Sequence, residues 1–146
     1  MPAGLPRERI MNRALLPALG FLLLLGCQLP PEQVPLKPLA ENGPPQPYTE
    51  LMSRARIQAA AANEAFYVNK WIDLEDAGKG LENTARYIAK STDVPARHRD
   101  KLSGEADDLS KEAVSLREAA KAEDAKRAAD SLQRINLMVR QMRPQD

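Results

Sequence analysis

From Thr49 onward the apolar residues recur at alternating intervals of three and four, and this repeat limits the possible folds more than any other feature. Over about Glu50–Phe66 the seam is Met52, Ala55, Ala59, Ala62 and Phe66; over about Lys70–Lys90 it is Trp71, Leu74, Gly78, Leu81, Ala85 and Ile88. A third seam, Leu102, Ala106, Leu109, Ala113, Leu116 and Ala120, belongs to one helix running from the Pro95 region to about Lys121. The fourth, Ala125, Ala128, Leu132, Ile135, Val139 and Met142, covers about Asp124–Met142, where Pro144 stops it. A mean spacing of about 3.5 residues keeps one stripe of each helix facing neighbours packed at shallow angles. No run alternates apolar and polar residues with period two, so no strand is predicted. Connections this short make sequential helices antiparallel neighbours. The expected fold is all-α, an up-down-up-down four-helix bundle over 49–143 with a short tail at 144–146. Thr49, Asn69 and Asp93 are the predicted helix caps, and Pro95 suits a first turn.

Upstream of the repeat the composition changes abruptly. Seven of the twelve prolines fall between Gln28 and Tyr48. Proline lacks a backbone donor and fixes φ, which rules out helix or sheet interior. The stretch 27–48 is therefore expected to be an extended, polyproline-like tether, reaching on the order of 60 Å if free.

Before that lies the one long apolar run, Ala14–Leu25, preceded by Arg13 and ended by Gly26 and Cys27. A basic start, an apolar stretch of this length and a small-residue exit form a secretory signal over 1–26. The n-region is compact if translation starts at Met11 and longer if it starts at Met1. The run is short for a membrane span, which needs roughly 20 apolar residues. Cys27 is the only cysteine, and a lone cysteine in an exported chain calls for an explanation. The sequence Leu24-Leu25-Gly26-Cys27 resembles the lipobox of bacterial lipoproteins. That resemblance implies cleavage before Cys27, acylation of its sulfur and often of its new amino terminus, and attachment to a membrane. Gln28, rather than an aspartate, implies sorting to the outer membrane and its periplasmic face. Several acyl chains hold firmly because each buried methylene contributes about 0.8 kcal/mol.

Loss of residues 1–26 removes three arginines and one glutamate, leaving 18 basic against 19 acidic side chains. A near-neutral, mixed surface argues against nucleic acid and against a polybasic membrane patch. The mature part also resembles the cytochrome c′ and cytochrome b562 bundles in helix length, its alanine-rich seam and its arginine-rich last helix. Those proteins carry haem on the last helix, where this chain reads Ile135-Asn136-Leu137-Met138-Val139-Arg140-Gln141-Met142-Arg143, without cysteine or histidine. Met52 stands where an early methionine ligand would sit. The resemblance implies a haem-free relative, and no cofactor is expected.

Catalytic residues are not found. His98 is the only histidine, lies between Arg97 and Arg99, and reads as a solvated surface residue. The acidic clusters Asp73/Glu75/Asp76 and Glu105/Asp107/Asp108/Glu112 have lysines and arginines within reach, so they read as solvated faces and not as metal sites. Gly78 and Gly80 each cost roughly 1 kcal/mol against alanine inside a helix. Gly78 lies on a seam, so it marks either close helix approach or a notch. With Phe66, Tyr67 and Trp71 nearby it is the first place to look for a docking site. The chain is thus expected to be a non-enzymatic, lipid-anchored interaction or scaffold module of the cell envelope with an unnamed envelope partner. The alternative is a cytochrome c′-like carrier of haem or a small apolar ligand.

Overall fold

The computed structural model describes residues 36–40 and 43–144. The predicted signal, Cys27 and the first part of the tether lie outside the described residues. Among the described residues the regular elements are all helices, with no strand: α1 Tyr48–Tyr67, α2 Trp71–Ile88, α3 Ala96–Arg99, α4 Leu102–Lys121 and α5 Ala125–Gln141. The all-α expectation is correct. The four long helices form a closed ring of contacts, α1 on α2, α2 on α4, α4 on α5 and α5 on α1, with α2–α4 the largest interface and α1–α5 the smallest.

Burial follows the seams. Met52, Ala55, Ala59 and Ala62 of α1, Leu74, Leu81, Ala85 and Ile88 of α2, the whole α4 stripe, and Ala128, Leu132, Ile135 and Val139 of α5 are all buried. The core also takes Tyr48, Leu51, Ala65, Tyr87 and Ala119, which widen the stripe beyond a strict heptad. Ala125 is exposed, because α5 enters the ring only one turn later.

The helix ends correct several expectations. α1 starts directly after Pro47, and the orphan Tyr48 N–H donates to Thr92 O at 2.9 Å; Thr49 caps nothing. Asn69 closes α1 instead of capping α2. It sits in the left-handed region at φ 55°, with Lys70 N bonded to Ala65 O and Asn69 N to Phe66 O, the 6→1 and 5→2 pattern of a Schellman closure. Asp93 is likewise left-handed at φ 56°, and Pro95 occupies the position before α3 rather than its first turn. Glu123 repeats the Schellman pattern at the end of α4, with φ 51°. Asp124 then caps α5 by accepting from Arg127 N at 3.0 Å.

The third predicted helix is broken at Asp100-Lys101 into α3 and α4. In an unbroken helix, residues seven apart are separated by about 10 Å along the axis. Here His98 Nδ1 lies 3.0 Å from Glu105 Oε2, seven residues on, and only the break permits that.

The tether expectation is corrected at its inner end. Residues 36–40 and 43–47 are not helical, but they are tied to the ring: Arg54 donates to Lys37 O at 2.7 Å, Asn83 to Leu39 O at 3.0 Å, and the Tyr87 hydroxyl to Ala40 O. Gly43 N donates back to the Tyr87 hydroxyl at 2.7 Å, and Leu39 packs on the core.

Candidate functional site

Three of the four residues picked from the sequence come together at the turn from α1 to α2. The Phe66 ring stands edge-on to both Tyr67 and Trp71, with centroids 6.2 Å apart in each pair. Phe66 and Trp71 are half-buried, whereas Tyr67 is exposed. Gly78 is not with them. It lies two turns along α2 and faces α4, where a Cβ would come within 3.3 Å of Ala113 O and Arg117 N. Close helix approach, not an open notch, is what Gly78 provides. Gly80 serves the other neighbour: a Cβ there would collide with the Gln58 amide of α1, whose oxygen accepts the Thr84 hydroxyl at 2.8 Å.

The concave surface lies where the ring is loosest. Between α1 and α5 runs an open groove of about 670 Å³, lined by Asn63, Phe66 and Tyr67 from α1, by Ala129, Leu132, Gln133, Asn136, Leu137 and Arg140 from α5, and by Arg143 beyond its end. Asn63 and Asn136 exchange amide hydrogen bonds of 3.2 Å across it and tie the two helices together there. Its only charged lining residues are Arg140 and Arg143. Four other arginines are paired with carboxylates, Arg86 and Arg117 with Glu82, Arg127 with Glu118, and Arg134 with Glu112, whereas Arg54 and Arg99 donate to backbone carbonyls. Neither groove arginine is among those ion pairs. The volume falls within the range of ligand and peptide clefts, roughly 300–1,000 Å³.

Leu137, Arg140 and Arg143 went unread in the sequence. Gln133, Asn136, Arg140 and Arg143 repeat at three and four beside the core seam of α5, a second stripe that the apolar count passes over. A stripe with two arginines and no acid, next to an exposed leucine, is the signal that would have marked it.

No family model, curated protein or solved structure matches the chain.

A second polar cluster sits at the opposite end of α1. His98 is only 4% exposed, which corrects the surface reading. Its ring lies 5.6 Å from that of Tyr48, its Nδ1 donates to Glu105, and its Nε2 accepts from Arg97 Nε at 3.1 Å. The Tyr48 hydroxyl donates to Met142 O at 2.5 Å, and Arg97 donates to Arg143 O. These bonds satisfy carbonyls at the end of α5 that no helical donor reaches. Burial, reinforced by the Glu105 carboxylate and opposed by Arg97, pushes the Tyr48 phenol up to about 12. The ring nitrogen that a general base would offer faces a guanidinium and a carbonyl, so the cluster acts as a clasp on the chain end.

Glu105 is turned to His98, Glu112 to Arg134, Asp108 to Lys111 and Glu75 to Lys121. Among the described residues no three His, Cys, Asp or Glu side chains gather in a metal-binding group. Met52 is buried in the core and does not line the groove.

Proposed function

We propose that this protein is a lipid-anchored module of the cell envelope, an up-down-up-down four-helix bundle that works by binding rather than by catalysis, with the α1–α5 groove as its docking face. The bundle topology is supported by contacts whose numbering runs in opposite directions: Glu75 with Lys121 and Glu82 with Arg117, then Glu118 with Arg127 and Glu112 with Arg134. Anchoring rests on the lipobox-like Leu24-Leu25-Gly26-Cys27, with the periplasmic face of the outer membrane as the location. No helix among the described residues is long and apolar enough to cross a membrane.

The observation that carries the binding reading is a groove of mixed lining, in which two arginines, Arg140 and Arg143, share the surface with Phe66, Tyr67 and Leu137. A complementary partner presents an apolar helix face flanked by carboxylates, the helix-in-groove mode. Two measurements test the proposal. Intact mass of the protein from its native envelope should show acyl chains on Cys27, lost with Cys27→Ser. A photo-crosslinker at Leu137 should capture one partner in intact cells, and Arg140→Glu/Arg143→Glu should abolish that product. A crosslink that persists at full yield in the double variant refutes the groove.

A carrier of a small apolar ligand is the second reading, favoured by the same volume. The groove lining contains no His, Cys or Met, which leaves Tyr67 as its one side chain of a haem-ligating type. An absorbance spectrum of the native protein without a haem band, together with an empty organic extract, would remove this reading.

A further inference from the structure

We infer that the α1–α2 turn is a lipid-contacting tip: when Cys27 is anchored, Tyr67, Val68 and Ile72 rest in the interface of a zwitterionic phospholipid bilayer. The inference rests on the anchoring reading above and adds to it an orientation and a second contact.

The first observation is a patch of exposed apolar surface. Among the described residues five large apolar side chains are exposed, and three of them, Tyr67 at 79%, Val68 at 54% and Ile72 at 78%, fall within six positions. Scattered apolar exposure is ordinary, but a contiguous patch marks a contact surface. The remaining composition of the turn suits an interface in particular. Phe66 braces Tyr67 and packs in turn on Trp71, and the Lys70 ammonium, on a flexible stem, can reach headgroups. The Schellman closure through Asn69 makes the turn a stiff projection.

The second observation is the path of the chain. As residue numbers fall from Gly43 through Ala40 and Leu39 to Lys37, the partners pass from Tyr87 to Asn83 and then to Arg54. Along α2 the step from Tyr87 to Asn83 is movement toward the α1–α2 turn, and Lys37 is then held at Arg54, two turns into α1. Arg54 lies 13 residues before Tyr67, about 20 Å along the helix. Leu36 is nine residues from Cys27, a span of at most about 30 Å. A bundle approaching with this end forward is therefore held within about 10 Å of the bilayer surface, and its apolar tip is in range. The other end offers nothing comparable: Asp93, Arg97, Arg99, Asp100, Lys101 and Arg143 are exposed there. Charges around the tip are of both signs, with Lys70 on Asp73, Lys121 on Glu75 and Lys126 on Asp130, so anionic lipid is not what draws it.

The chain's single tryptophan sits in the tip and reports on it. The full lipidated protein is reconstituted into phosphatidylcholine vesicles carrying nitroxide-labelled lipid, shallow or deep. Trp71 emission should shift to the blue and lose at least half its intensity to the shallow label, with no dependence on salt. Val68→Ser/Ile72→Ser should abolish most of that quenching while the protein still floats with the vesicles. Flotation with Trp71 unquenched by either label overturns the tip and leaves the anchor standing. Absence of acyl mass on Cys27 together with failure to float overturns the anchor, and this inference with it.

Discussion

Glu82 offers the sharpest test of how the ring is held together. Its side chain is 10% exposed and accepts from Arg117 Nη1 at 2.6 Å across the α2–α4 interface, while Arg117 is 29% exposed. Arg86, one turn along α2, pairs with the other carboxylate oxygen. Removing one partner of a fully buried pair costs about 3–5 kcal/mol, because the remaining charge is left desolvated. Arg117 keeps some water and Arg86 more, so Glu82→Ala should cost less, about 2–3 kcal/mol. Arg117 has a further liability, since its Nε is already buried without a partner. In a domain of this size such a loss lowers the melting temperature by roughly 10 °C or more. Because the cost is mainly an orphaned charge, the double variant Glu82→Ala/Arg117→Ala should be less destabilised than the sum of the singles, by about 1–2 kcal/mol. Urea unfolding followed by circular dichroism, on the chain carrying Cys27→Ser, measures all three. A single-variant loss below about 0.5 kcal/mol, or strict additivity, would refute the reasoning.

Further expectations concern glycines, a strained turn and a phenol. Gly78→Ala gains about 1 kcal/mol of helix propensity but pushes on α4 backbone at 3.3 Å, so it should destabilise; Gly80→Ala displaces only the flexible end of Gln58 and should be neutral within about 1 kcal/mol in the same unfolding assay. Glu123, left-handed at φ 51°, should give way to glycine with a gain of up to about 1 kcal/mol. Tyr48 stays neutral in the fold to about pH 12, above the ordinary phenol value of 10.0, so its contribution is complete below pH 10 and is lost as pH rises toward 12. The alkaline limb of a stability–pH curve should therefore flatten in Tyr48→Phe, by on the order of 2 kcal/mol.

The seams were legible because burial in a helix bundle follows a period that the sequence displays directly. Leu109, Ala113 and Leu116 are buried, as the α4 stripe requires. What the period does not display is polar geometry. His98 between two arginines reads as solvated, yet the chain breaks after α3 to carry it inward onto Tyr48 and Glu105. Caps failed for a related reason: Asn69 and Asp93 suit helix starts and left-handed turns equally, and only the tertiary path selects between them. The aromatic cluster was visible, since Phe66, Tyr67 and Trp71 are adjacent in sequence. The groove was not, because Asn63 and Arg140 meet only through the fold.

The proline-rich segment shows where reading proline as a breaker falls short. Proline removes donors, but every residue of such a segment keeps its carbonyl, so an extended strap can still be bound by a surface rich in donors. The ring supplies them: Arg54, Asn83 and Tyr87 donate to Lys37 O, Leu39 O and Ala40 O. Tyr87 has the largest share, since its hydroxyl also accepts from Gly43 N. Tyr87→Phe deletes both bonds while leaving the ring in the core. Each typical hydrogen bond contributes about 0.5–1.5 kcal/mol, so strap binding should weaken by about 1–3 kcal/mol. That is a factor of roughly 5–150 in strap opening, since 1.4 kcal/mol corresponds to tenfold. Because the ring packs without the hydroxyl, amide exchange in α2, α4 and α5 should stay near its parent level while the Gly43 amide exchanges faster. Faster exchange throughout the helices would mean that the strap is part of the cooperative core. Unchanged exchange at Gly43 would mean that Leu39 packing, not the Tyr87 hydroxyl, holds it.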